Sequence, residues 1–218
     1  MANIKLMAAQ TSAVQALGEG TFISARATRD GSLFTAAWAI AKGLEGRLMG
    51  CHFGTLTTPI ATAATTAITT LRPQAWVRVP DGTAIIPLSV NIIVESQGAT
   101  TQGEIAIATT TVDPGDGTGA AGTQQPVSLS TNRAESSNCT TRQLATGDIT
   151  AETGLLELKR FSFAASAVNQ DFNWKAMADL VVPLLRGPAG LLVYVGGNAV
   201  NFYCQVQWIE LAEVAEAA

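Results

Sequence analysis

The chain has 218 residues, of which 47% are hydrophobic and only 14% are charged, and its net charge is −4. That length fits one large β-sandwich or barrel, or two small domains. Its apolar runs are shorter than the roughly 18–20 residues that span a bilayer, and its basic residues are too scattered for a nucleic-acid-binding stripe. We therefore expect neither a membrane nor a nucleic acid as a partner.

The first part of the chain has the least regular pattern. Residues 1–20 show no firm period and are expected to form an N-terminal arm, and residues 21–29 are a candidate short strand. Residues 33–44 are the one candidate helix, because their apolar side chains recur near helical spacing. The N-terminus lacks the basic and then apolar layout of a secretory signal, so we expect the chain to fold in a cytoplasm.

Apolar and polar residues alternate through most of the remaining chain, and this period of two is typical of half-buried strands. Pro87 cannot donate a ladder hydrogen bond, so it should mark the start, an edge or a bulge of its strand. In that strand one apolar face is predicted, formed by Ile86, Leu88, Val90, Ile92 and Val94. Strands are predicted at residues 47–53, 75–79, 86–94, 104–111, 155–163 with a bulge, 179–185, 191–195 and 200–208.

Two pairs of these strands are predicted to be hairpins. Residues 190–211 alternate on either side of Gly196-Gly197-Asn198, which tolerate the positive φ of a tight turn. Residues 186–190 are the predicted turn of the second hairpin. The strand density favours an all-β fold, an antiparallel, jelly-roll-like sandwich of two sheets over residues 21–211, followed by an acidic tail at residues 212–218.

His52 is the only histidine, so any Ser-His-Asp or Cys-His mechanism must use it. Cys51 would point to the opposite face of a strand, which forbids direct pairing. The chain has no GxSxG nucleophile elbow. We therefore expect no catalytic residue, and a hydrolase acting through His52 or paired acids is the least favoured hypothesis.

Acidic residues offer two further candidate sites. Asp113 and Asp116 lie in a Gly-rich loop at residues 112–126, where oxygen-rich turns suit calcium, but the EF-hand spacing is missing. Glu152 and Glu157 are the nearest candidates for the paired carboxylates of a glycoside hydrolase. Solvation is the favoured interpretation of both pairs, so neither a metal ion nor a cofactor is predicted.

The tryptophans and cysteines are interpreted as core residues. Trp76 is the tryptophan most open to another role, because it shares a strand face with Arg78. The thiols have neither CxxC nor zinc-ligand spacing, so buried reduced thiols are predicted. These residues are Trp38, Trp76, Trp174 and Trp208, and Cys51, Cys139 and Cys204.

The charged fraction is well below the roughly 25% of an ordinary soluble domain. Either neutral polar residues solvate the surface or other protein copies cover it, and assembly is favoured because charged residues are depleted at interface cores. The charge is also uneven, since residues 1–80 carry +4 and the remainder carries −8. Two interpretations explain this difference equally well: head-to-tail complementarity between copies or with an acidic neighbour, and a solvated asymmetry with no partner.

Several segments, which together cover less than half of the chain, resemble structural proteins of tailed bacteriophage virions. They are residues 44–59 (from LEGR through GTLTTP), 76–83 (WVRVPDGT) with 85–88 (IIPL), and the predicted C-terminal hairpin at 190–211, which ends in QWIEL. The resemblance implies a β-sandwich subunit, often trimeric, that serves as a cement, decoration or head-to-tail accessory protein. It implies binding to a capsid lattice and no catalysis, and it carries over no functional residue.

The favoured hypothesis is a non-enzymatic virion protein that is assembled in the host cytoplasm. It should form homo-oligomers, with a trimer favoured, and bind the major capsid protein or another virion protein. The alternative is a receptor- or glycan-binding module of a phage tail fibre or a cell surface. That alternative needs an exposed aromatic cluster, for which Trp76 and Trp174 are the candidates.

Overall fold

The computed structural model describes residues 42–43, 45–55, 57–62, 67–98, 102–115, 126–129, 136–145, 148–149, 154–165, 168–176 and 183–212. Lys42 and Gly43 are the only helical residues among them, and no helix in this part of the chain is long and apolar enough to cross a membrane. The predicted arm, the strand at 21–29, the rest of the helix and the tail after residue 212 lie outside the described residues.

The described residues form twelve strands. They are β1 (Leu48–Phe53), β2 (Ile60–Ala61), β3 (Ala75–Val79), β4 (Thr83–Gln97), β5 (Gly103–Thr110), β6 (Val127–Ser128), β7 (Thr140–Gln143), β8 (Leu156–Phe163), β9 (Val168–Lys175), β10 (Leu185–Arg186), β11 (Ala189–Gly196) and β12 (Val200–Ala212).

These strands build two antiparallel sheets. The larger sheet has the order β10-β4-β12-β1-β6, with β2 beside β12 and β9 beside β4. The smaller sheet has the order β7-β3-β11-β5-β8. One apolar core fills the space between the sheets, with side chains from both. The predicted antiparallel two-sheet sandwich, jelly-roll-like in architecture, is confirmed.

Among the described strands, no two that are consecutive in the chain pair with each other. β11 belongs to the smaller sheet and β12 to the larger one, so Gly196-Gly197-Asn198 joins the two sheets. β10 and β11 also lie in different sheets. Both predicted hairpins are therefore wrong. The reason is that positive φ, which Gly197 (153°) and Ala199 (50°) adopt, serves a crossing between sheets as well as a tight turn.

β4 is the longest of the described strands, with 15 residues, and it contains a bulge near its proline. The ladder with β12 pairs Gln207 with Ser89 but Trp208 with Pro87, so Leu88 is an extra residue. Side chains beyond the bulge that point into the core are those of Val90, Ile92 and Val94. The predicted single apolar face is wrong for Ile86 and Leu88, which are only partly buried. Of the three alternatives predicted for Pro87, the start, an edge or a bulge of its strand, the structure shows the bulge.

The bulge predicted within residues 155–163 is also confirmed. Ile107 of β5 pairs with Lys159, whereas the next residue, Ala108, pairs with Glu157. Leu158 is therefore the extra residue of β8. The extra residue keeps Leu158, Phe161 and Phe163 on the core side, although they change from even to odd positions in the sequence. The ring centroids of Phe161 and Phe163 lie 5.5 and 6.0 Å from that of Phe172 in β9.

β9 is absent from the predicted strands. Its inward residues are Gln170, Phe172 and Trp174, which the ladder sets beside core residues of β4. Its outward residues are polar, and a strand with only two strongly apolar inward side chains has a weak period-two signal. The alternation of Phe172 and Trp174 with Asp171, Asn173 and Lys175 is the signal that could have identified it.

Apolar side chains cover both faces of the smaller sheet. Between the sheets, Leu191, Val193 and Val195 of β11 belong to the main core. On the outer side, a second cluster comprises Trp76, Ala106, Ala108, Ala145, Ile149, Leu192 and Tyr194. This double coverage explains why every residue of β11 is buried.

Candidate contact face

The larger sheet turns one face away from the core, and the ladders among β1, β12, β4 and β9 fix which side chains stand side by side on it. The polar part of this face consists of the rows His52–Gln205–Asn91–Asn173, Gly50–Gln207–Ser89–Lys175, Tyr203–Ile93–Asp171 and Asn201–Ser96. We call this set of side chains the amide face.

Uncharged hydrogen-bonding groups dominate the amide face. Ser89 Oγ donates to Gln207 Oε1 at 3.2 Å, and Asn201 Nδ2 donates to Ser96 Oγ at 2.9 Å. The buried Oδ1 of Asn91 accepts no hydrogen bond from the described residues. Neutral amides lose less free energy than charges when a partner covers them. The amide face is therefore chemically suited to protein contact.

Charges on the amide face are confined to β9, where Asp171 and Lys175 lie. Most ion pairs of the described residues lie elsewhere, on the outer side of the smaller sheet or in the segments that cover it. They are Arg72–Asp148, Arg78–Asp113, Arg160–Glu104 and Arg160–Glu157. Ion pairs are thus concentrated on the outer side of the smaller sheet, which sequence composition could not show.

His52 lies on the amide face, and Cys51 points into the core, as the period of two predicts. His52 Nδ1 is 3.4 Å from the carbonyl oxygen of Gly54, and its ring centroid is 6.1 Å from that of Tyr203. Within the described ranges, no carboxylate or nucleophile is bonded to the imidazole. The described residues therefore do not assemble a catalytic triad around His52.

Asp113 is bound by a guanidinium. Arg78 donates from Nε and Nη2 to the two carboxylate oxygens, each at 2.6 Å, and the Gly115 N–H donates to Oδ1 at 2.9 Å. The hydrogen bonds from Arg78 lower the pKa of Asp113. Asp116 lies outside the described residues, which contain no cluster of ligands suited to a metal ion.

This ion pair makes the stability of the protein sensitive to acid. The pKa of Asp113 is lower in the folded than in the unfolded chain, so its stabilisation is present above the unfolded pKa and is lost as the pH falls through the folded pKa. Both side chains are about one-third exposed, so solvent screening limits the effect to about 0.5–1 kcal/mol. Asp113→Asn should destabilise the protein by that amount at pH 7, measured by urea unfolding. The difference in free energy of unfolding between the wild type and the variant should shrink below pH ~4. A difference that stays constant down to pH ~3 would contradict a stabilising role of the ionised Asp113.

Glu157 also has a basic partner. Arg160 Nη2 donates to Glu157 Oε2 at 2.6 Å, and its Nη1 donates to Glu104 Oε2 at 2.7 Å. The hydrogen bonds from Arg160 lower the pKa of Glu157 and keep it ionised, whereas a general acid needs a raised pKa. Glu152 lies outside the described residues, so the structure does not test the predicted pair.

The described tryptophans and all three cysteines are buried, as predicted. Trp76, Trp174 and Trp208 are fully enclosed, and Trp76 Nε1 donates to the carbonyl oxygen of Gly115 at 3.2 Å. Trp38 lies outside the described residues. Each cysteine is a free thiol, and burial raises the pKa of each, which keeps Cys51, Cys139 and Cys204 protonated.

A cavity of about 440 Å³ lies beside β11 on the outer side of the smaller sheet. Arg72 and Tyr194 are among the residues that line it. Arg72 donates to Asp148 at 2.9 Å, and the Tyr194 hydroxyl donates to the carbonyl oxygen of Thr70 at 2.7 Å. Both of these polar groups therefore already have partners within the protein.

Comparison with known proteins does not assign this chain to a family: no family model matches it, and no curated protein matches it. The amide face is therefore the feature of the described residues that bears most directly on function.

Proposed function

We propose that this chain is a non-enzymatic structural protein of a bacteriophage virion, a cement or decoration subunit that binds the capsid shell and its own copies. The observation that carries the proposal is the amide face, a regular surface with charge only on its edge strand. A partner that covers such a surface desolvates amides and hydroxyls instead of ions. The resemblance of several segments to virion proteins indicates that the partner is a capsid shell.

The composition of the chain supports the same proposal. Only 14% of its residues are charged, and those of the described part form most of their ion pairs away from the amide face. A surface of this kind suits close packing against a repeated lattice. The favoured stoichiometry is a trimer, as in the virion proteins that the segments resemble.

The alternative, a receptor- or glycan-binding module, has no comparable support. It needs exposed aromatic rings on which a sugar could stack, and both candidate rings, Trp76 and Trp174, are fully buried. No other observation on the described residues favours it.

Shell binding is tested by cosedimentation with capsids of the phage that carries this gene. We expect the protein to sediment with the capsids at saturable stoichiometry. Gln205→Arg places a charge at the centre of the amide face and should weaken binding by at least about 10-fold, because a charge buried at an interface loses its hydration. Ser162→Arg, at an exposed position of β8 opposite Glu104, is the matched control and should bind normally.

Self-association is tested by light scattering over a concentration series. A strict monomer at every concentration would contradict binding to other copies, and equal shell binding by Gln205→Arg and the wild type would contradict the role of the amide face. Absence of the chain from purified virions would contradict the virion assignment as a whole.

A further inference from the structure

β9 is an edge strand whose outer side lacks a partner in the described part of the chain. It pairs with β4 and with no other described strand. Asp171, Asn173 and Lys175 are exposed on it, and none of the three bonds to another side chain there. An exposed edge presents unpaired N–H and C=O groups, which can accept a strand from another chain.

The backbone direction of β9 follows from one hydrogen bond at its end. The Ala176 N–H donates to the carbonyl oxygen of Leu88 at 3.0 Å, so the backbone groups of Ala176 point towards β4. These groups alternate between the two sides of a strand with a period of two. The N–H and C=O groups of Asp171, Asn173 and Lys175 therefore point to the free edge, and their side chains lie on the amide face.

The charges of β9 are symmetric about Asn173. Asp171 lies two residues before Asn173, and Lys175 lies two residues after it. In an antiparallel pair of two copies centred on Asn173, each Asp171 stands opposite a Lys175, and the two Asn173 amides stand opposite each other. Directly opposite side chains have Cβ atoms about 4.5–5.5 Å apart, within reach of an ion pair. If the register between the two strands shifted by two residues, Asp171 and Lys175 would no longer stand opposite each other in either pair.

We infer that two copies of this chain pair through β9, antiparallel and about a two-fold axis at Asn173, so that the larger sheets of both copies form one continuous sheet. Asp171, Asn173 and Lys175, whose backbone groups point to the free edge, exchange backbone hydrogen bonds with the same strand of the second copy. Two reciprocal Asp171–Lys175 ion pairs set the register. The contact is isologous, so each copy uses the same surface. It rests on the self-association in the proposed function, but it is separate from any three-fold contact.

Charge reversal tests this contact. Asp171→Lys alone, or Lys175→Asp alone, sets like charges opposite each other at two places, and each change should weaken the two-fold association by about 10- to 100-fold. Combining both substitutions in one chain restores opposite charges and should restore association. An equimolar mixture of the two single variants should also associate, because each Lys then faces an Asp. Arg186→Asp, at an exposed position of β10 in the same sheet, is the control and should leave association unchanged.

Sedimentation velocity over a concentration series measures the result. The wild type should form species with an even number of copies, either dimers or pairs of trimers. Each single charge reversal should convert dimers to monomers, or pairs of trimers to single trimers. A wild type that is trimeric, or whose mass does not respond to charge reversal, would overturn the β9 contact and leave the proposed function standing. A strict monomer would overturn both. Circular dichroism confirms that each variant remains folded, which these exposed positions favour.

Discussion

Phe202→Ala is expected to lower the free energy of unfolding by about 3–5 kcal/mol. The Phe202 side chain is fully buried in the core between the sheets, and its strand neighbours are Val94 of β4 and Ile60 of β2. Removing the ring loses its burial and leaves a cavity, because close-packed neighbours relax only in part. Urea unfolding followed by tryptophan fluorescence measures the change.

Gln205→Ala is the matched control for this substitution. Gln205 lies on the same strand three residues later, but its side chain is exposed on the amide face. The control should change stability by less than about 0.5 kcal/mol. If Phe202→Ala cost no more than the control, the packing of β12 against the smaller sheet would be contradicted.

Gly187→Ala is expected to cost about 3 kcal/mol or more, because the added methyl group has no space. It would overlap the carbonyl group of Pro80 and press on the carbonyl oxygen of Val79. Both obstacles are backbone atoms, which cannot rotate away. The Gly187 N–H also donates to the carbonyl oxygen of Thr83 at 2.9 Å, so the substitution strains the place where the β3–β4 turn meets the β10–β11 connection.

Gly82→Ala separates this steric effect from the loss of glycine flexibility. Gly82 has a φ of 74°, and a methyl group there would meet no atom within 4 Å. Its cost should be that of the left-handed backbone alone, about 1–2 kcal/mol. Equal free energies of unfolding for the two variants would contradict the close approach at Gly187, and failure of Gly187→Ala alone to fold would support it.

Part of the amide face could be predicted from the sequence. The low charge indicates a contact role, and the alternation in β12 places Asn201, Tyr203, Gln205 and Gln207 on a single face. The partners of that face come from β1, β4 and β9, which are distant in the chain. Their juxtaposition depends on strand order, which no local pattern encodes, and β9 was missing from the predicted strands.

The bulges show the same division. The bulge at Leu158 was predictable because the apolar residues of β8 change from even to odd positions, and an extra residue returns them to one face. In β4, Ile86 and Leu88 continue the apolar alternation without a break, and their exclusion from the core follows only from the register with β12. A register is a relation between two strands, so it is not contained in one of them.

Side-chain periodicity is a local property, since each residue of a strand points opposite to its neighbour. For this reason the chain alone was enough to establish the strands β1, β3, β4, β5, β8, β11 and β12, an antiparallel sandwich and buried thiols. Strand pairing is a long-range property. Gly196-Gly197-Asn198 is compatible with either a hairpin or a connection between the two sheets. The folded protein has the connection between sheets, because β11 has apolar side chains on both faces. It can bury both only at the centre of the smaller sheet, away from β12, and that requires contacts that sequence neighbours cannot supply.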